Sequence, residues 1–180
     1  STVRARPILA AAQQHESVLA YDLLPGANVD WTPGVSDNAP PTCVMAHGIL
    51  GSRRNLLSFA KRLVTANPDW QVLLVDLRCH GDSCALPVKP GGPNTVESAA
   101  NDVIGLLQRV AIYPSMLVGH SCGGKVVMKM VLLSPTPSLP KPVDVWVLDT
   151  VPGDTWGSGG DHPRDTIAVC QQLPTPFATR

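Results

Sequence analysis

Gly119-His120-Ser121-Cys122-Gly123-Gly124-Lys125 is the stretch that decides the fold. Its first five residues read G-x-S-x-G, the pattern of a nucleophile elbow, in which a strand runs into a sharp turn and a helix leaves it. Both flanks fit. Residues 115–118 form a short apolar run suited to a buried strand. Residues 125–133 are mostly apolar, with Lys125 and Lys129 spaced i,i+4 on one side. A serine on so tight a turn holds its hydroxyl out of the sheet. The neighbouring glycines remove β-carbons that would collide where strand and helix cross. The bland alternative is a glycine-rich turn with an incidental serine.

Working outward, apolar runs predict strands at 18–24, 42–46, 71–77 and 143–148. Helical spacing of apolar residues predicts a helix over 53–66. Asn94 followed by Glu97 has capping-box spacing and opens a helix to about residue 110. Residues 25–41 read as a loop or a loosely held hairpin, and 78–93 as a loop and surface segment. Residues 150–180 are rich in Pro, Gly and Thr, with one short helix starting at Pro163. Strands alternating with helices imply an α/β fold, with a doubly wound, mostly parallel sheet. Residues 1–150 form its core, and 151–180 begin a cap or an irregular tail. Ligands in such sheets sit at strand carboxyl ends. His47, Asp76, Ser121 and Asp149 all fall there.

Bulk properties narrow the function classes. The 180 residues suffice for one domain with a real core. Fourteen basic residues balance fourteen acidic ones, so there is no basic field for nucleic acid. No apolar run approaches bilayer length, so no transmembrane segment is expected. Five cysteines, an odd count with no C-x-x-C pair, argue against a disulfide framework or a cysteine-rich zinc site and for a reducing compartment. His80, His120 and a nearby cysteine lack metal-ligand spacing, and no metal or other cofactor is expected. The chain starts at Ser1 with Arg4 and Arg6 close behind. This suggests a removed leader or an incomplete chain, with a mitochondrion or chloroplast as the expected location and the cytoplasm as the alternative.

A serine nucleophile needs a base and an oxyanion hole. The backbone N–H of Cys122 at the start of the elbow helix is one expected donor. A second comes from the turn His47-Gly48-Ile49-Leu50-Gly51, with Ile49 as its donor. One competitor is sharper than a plain turn. Residues 119–125 also match G-x-x-x-x-G-K, and 145–149 read as an apolar strand ending in aspartate, as in a P-loop nucleotidase. Val126 stands where that loop requires Ser or Thr to hold magnesium.

Three motifs together, His47-Gly-Ile-Leu-Gly51, Asp76-Leu-Arg-Cys-His-Gly-Asp-Ser83 and Gly119-His-Ser-Cys-Gly-Gly-Lys125, resemble the α/β-hydrolase superfamily. Within it they resemble a group of small serine esterases. That group carries D-x-R-N-H-G-x-S and G-H-S-M-G-G-K at these places. Cys79 and Cys122 stand where it has Asn and Met. The resemblance spans residues 18–150 and implies hydrolysis of an acyl ester or thioester by a Ser, acid and His triad.

The resemblance also implies further strands beyond the one ending near Asp149, the sixth of the family's sheet, with the catalytic histidine after the last. The core is therefore expected to be truncated here. Chain order in the family is Ser, acid, His. Asp149 is the candidate acid, and His162, the one histidine after Ser121, is the candidate base within this chain. His120 should point away from the reaction, and His80 and Asp76 should brace their loop. The reading from another class is a non-catalytic binding or scaffold subunit, with a partner protein covering the open sheet edge.

Overall fold

The computed structural model describes residues 19–33, 39–86, 90–133 and 144–153. Strand β1 (Tyr21–Pro25) is followed by β2 (Thr42–Ala46), helix α1 (Leu57–Ala66), β3 (Gln71–Val75), α2 (Val96–Arg109), β4 (Met116–His120), α3 (Cys122–Leu133) and β5 (Asp144–Leu148). The five strands form one sheet in the order β1-β3-β2-β4-β5. β1 runs antiparallel to β3, and every other pairing is parallel. The chain moves from β2 outward to β3 and then returns past β2 to β4. That reversal opens a crevice at the carboxyl ends of β2 and β4, where the glycine turn and the serine elbow lie.

Strands β2 and β3 are buried at every position, as central parallel strands must be when helices cover both faces. Alternation sorts their side chains. Val44, Ala46, Leu73 and Val75 meet the larger core with α2 and α3 residues such as Val103, Leu107, Val127 and Met130. Cys43, Met45, Val72 and Leu74 face the other way, against Ala60 and Val64 of α1. At β5, Val145 and Val147 pack on the larger core. Trp146 and Leu148 alternate to the opposite face, and both are exposed.

The expected doubly wound, mostly parallel α/β sheet is therefore present. Local departures have physical reasons. Helix α2 is capped by Thr95, whose hydroxyl accepts the Ser98 N–H at 3.0 Å, not by Asn94. The Asn94 side chain turns instead toward Arg78. The segment expected as one helix from residue 53 begins as a 3-10 turn, Arg53–Leu56, before α1. Helix α3 starts at Cys122, three residues earlier than the apolar pattern predicted, because its first turn is glycine rather than hydrophobic. The helix expected from Pro163 lies outside the described residues.

Beneath the site is a buried ion network. Asp76 follows β3 and is fully buried. It accepts the Arg53 N–H at 2.6 Å, the Asp82 N–H at 2.8 Å and the Arg53 guanidinium. Arg53 also donates to Asp22 at 2.8 Å and to Asp82 at 2.7 Å. Burial disfavours the Arg53 charge, but its hydrogen bonds to Asp22 and Asp82 and the field of Asp76 outweigh that and hold its pKa above the usual range. A buried pair is strongly destabilising when one member is removed, because the other charge is left uncompensated. Asp76→Ala should therefore lower unfolding free energy by about 3–5 kcal/mol. Urea denaturation followed by circular dichroism checks this, and an unchanged midpoint would refute it.

Candidate active site

Ser121 is the single residue between β4 and α3. It sits at φ +51°, a left-handed conformation that a non-glycine residue adopts only when its surroundings impose it. They do so at both ends. Its N–H donates to Leu148 O of β5 at 2.8 Å, and its carbonyl accepts the Gly124 N–H at 2.9 Å. A β-carbon at Gly123 would lie 2.3 Å from the Ala46 carbonyl oxygen, so only glycine lets α3 start this close to β2.

The turn after β2 lies against the serine. A β-carbon placed on Gly48 would be 3.1 Å from Ser121 Cβ and 3.1 Å from His120 Nδ1. The N–H groups of this turn can be followed one by one. That of Leu50 goes to His80 Nε2 at 3.2 Å, that of Gly51 to Gly48 O at 3.1 Å, that of Ser52 to Asn55 Oδ1 at 2.7 Å and that of Arg53 to Asp76. The Ile49 N–H has no partner among the described residues. Neither has the Cys122 N–H, in the first turn of α3, where the helix macrodipole favours negative charge.

His47 orients the Gly48–Ile49 peptide. Its Nδ1 lies 2.7 Å from Gly48 O, and a carbonyl only accepts, so Nδ1 carries the proton. Its Nε2 accepts the Leu77 N–H at 3.1 Å. Gly48 O thus receives two donors, His47 Nδ1–H and the Gly51 N–H. Because the peptide is planar and trans, pinning its oxygen also aims its other end, the Ile49 N–H. His80 has the same tautomer, with Nδ1–H donating to Arg78 O at 2.8 Å. The two rings meet edge to face, with centroids 5.1 Å apart. Arg78 is tied to Asp102 at 2.7 and 2.9 Å, which anchors this loop to α2.

The remaining sequence candidates separate. His47, Gly48, Ile49, Ser121, Cys122 and His120 come together. Asp76 and His80 lie beneath, holding the loops. Asp149 follows β5 at φ +55° with an exposed carboxylate, 3.9 Å from His120 Nε2. His120 is itself about half exposed and faces that carboxylate. His162 lies outside the described residues. No group of three His, Cys, Asp or Glu among the described residues could hold a metal ion. No helix among them is long and apolar enough to cross a membrane. Arg53 escaped the sequence reading. An arginine at the start of an amphipathic segment ordinarily reads as surface, and only the motif aspartate Asp76 hinted at a buried partner.

A family model described as serine aminopeptidase, S33, matches residues 37–147. The chain belongs to this family of α/β-hydrolases. This α/β-hydrolase is 36% identical over 142 residues to sn-1-specific diacylglycerol lipase ABHD11 of Mus musculus, a match covering 78% of this chain and 41% of the relative. It is 35% identical over 98 residues to Esterase YbfF of Escherichia coli, covering 54% and 35%. The chain thus spans well under half the length of these relatives. Among solved structures, a marine microorganism esterase superposes with a TM-score of 0.61 at 23% identity, over 87% of this chain and 51% of that one. The P-loop alternative falls with the family assignment. One residue between β4 and α3 also leaves no loop to cradle phosphates, and Lys125 reaches the Gly153 carbonyl.

Two predictions follow from the burial of these groups. Burial lowers the His47 pKa from its ordinary value of 6.5. The unfolded chain therefore binds this proton more readily, and stability falls as pH drops below about 6.5 until the folded-state pKa is passed. Urea midpoints measured across that range should decline in the unsubstituted protein and decline less in His47→Gln. Burial also raises the Cys122 thiol and pushes Cys43 up to about 12. Timed alkylation by iodoacetamide with mass spectrometry should label exposed Cys79 first, Cys122 later and Cys43 only on unfolding.

Proposed function

We propose that the whole protein is a serine hydrolase of small acyl esters or thioesters and that Ser121 is its nucleophile. The observation that carries this reading is the pair of N–H groups, Ile49 and Cys122, that have no partner among the described residues and lie on turns that meet at Ser121. Ser121 Oγ attacks the acyl carbonyl carbon and passes its proton to a histidine base. The carbonyl oxygen becomes an oxyanion and accepts hydrogen bonds from Ile49 and Cys122, which are already in place and need no reorganisation. Collapse expels the alcohol or thiol, which takes the proton back from the base. Water then cleaves the acyl-serine by the same route in reverse roles.

The ester class is supported by the printed names of the relatives, a lipase and an esterase. In the family order Ser, acid, His the base is a histidine supplied by further chain, with His162 the alternative within this chain, and Asp149 is the candidate acid. The edge at β5, unpaired on its outer side among the described residues and with Trp146 and Leu148 exposed, is where the proposal puts further chain or a partner protein.

Ser121→Ala should reduce kcat on p-nitrophenyl acyl esters by about 10⁴-fold or more. A fluorophosphonate probe should label the unsubstituted protein at Ser121. Labelling that persists undiminished in Ser121→Ala would falsify the assignment.

A further inference from the structure

The turn that carries Ile49 contains a second strained residue. Leu50 sits at φ +59°, in the left-handed region that a branched aliphatic side chain avoids. It contributes no buried packing that would compensate, because its side chain is exposed. Two hydrogen bonds hold it: the Gly51 N–H closes the turn onto Gly48 O at 3.1 Å, and from a distant segment the His80 side chain fixes the Leu50 peptide, whose N–H donates to His80 Nε2 at 3.2 Å.

The ring is set up for that contact by its own surroundings. Nδ1 donates to Arg78 O at 2.8 Å, which places the proton on Nδ1 and leaves Nε2 as the acceptor. The Arg78 backbone is steadied through its guanidinium, which binds Asp102, Pro93 O and Gly91 O. The edge of the His47 ring limits rotation of His80 from the other side. His47 acts on the carbonyl end of the Gly48–Ile49 peptide, and His80 acts one residue later, on the N–H that follows Ile49. Together they bracket Ile49.

We propose that His80 is a positioning residue for the oxyanion hole, acting through the Leu50 N–H to keep the Ile49 N–H aimed at the reacting oxygen. This rests on the serine-hydrolase reading above. His80 touches no substrate. Without its acceptor, Leu50 relaxes toward negative φ, and the rotation of the Ile49–Leu50 peptide swings the Ile49 donor off its line.

The test uses the full-length protein with two substitutions. Gln can present Oε1 near the position of Nε2, whereas Asn is too short to reach Leu50. Amide hydrogen exchange at Leu50 should quicken at least tenfold in His80→Asn and less than threefold in His80→Gln. Turnover of p-nitrophenyl butyrate should follow: kcat about tenfold lower in His80→Asn with KM within twofold, and kcat largely restored in His80→Gln. Unchanged Leu50 exchange in a folded His80→Asn protein overturns the proposal. So does an equal kcat loss in both variants, or a loss confined to KM. Exchange that responds as expected in an unsubstituted protein with neither turnover nor fluorophosphonate labelling overturns the hydrolase reading and with it the catalytic role of the contact, while leaving the contact itself established.

Discussion

The buried contact between Asp76 and Arg53 is the constraint on which the rest of the site depends. Asp76 directly follows β3, and Arg53 begins the segment that follows the glycine turn. By receiving both the backbone N–H and the guanidinium of Arg53, one carboxylate ties the exit of β2 to the exit of β3. Asp22 on the edge strand and Asp82 in the loop after β3 complete the charge balance. Four separate segments are thereby referenced to one ion pair. A carboxylate and a guanidinium in that position would be costly to bury singly, so the loops hold together or come apart as a set.

On that base the two turns at the site achieve different things by the same means. Each carries a residue in the left-handed region, Leu50 in one and Ser121 in the other, and each is held by hydrogen bonds from outside its own segment. For Ser121 the clamp is β5 on one side and the helix start on the other. For the glycine turn it is the histidine pair. The effect is to leave the Ile49 and Cys122 N–H groups without partners among the described residues where the turns meet, while those of Leu50, Gly51, Ser52, Arg53, Ser121 and Gly124 are committed. Orphan donors beside a half-buried serine are what a developing negative charge requires.

Much of this was legible in residue order. The apolar runs at 42–46 and 71–77 and the G-x-S-x-G pattern led directly to β2, β3 and the elbow, because buried parallel strands and tight glycine turns leave few other sequences workable. The motif positions also singled out Ile49 and Cys122, whose N–H groups are without partners among the described residues. What could not be read were contacts between residues far apart in the chain. Arg53 read only as the start of a helix, and Asn94 as the cap of the next one until Thr95 took that place and Asn94 turned to Arg78. The local preferences of Asn and Thr for an N-cap are nearly equal, so a tertiary contact was enough to choose between them.

By itself the sequence determined the alternation of strands and helices, the location of the elbow and the identity of the reactive serine candidate. These depend on periodicity and on steric limits that act within a few residues. Only the tertiary structure decided which aspartate is buried, which tautomers the histidines adopt and which N–H groups are left unpaired. It also separated Asp149, exposed and facing His120, from Asp76, fully enclosed, although both follow strands in the same way. Solvent access and hydrogen-bond partners belong to the packed arrangement of distant segments, and they set the chemistry of an ionisable group more strongly than its neighbours in the chain do.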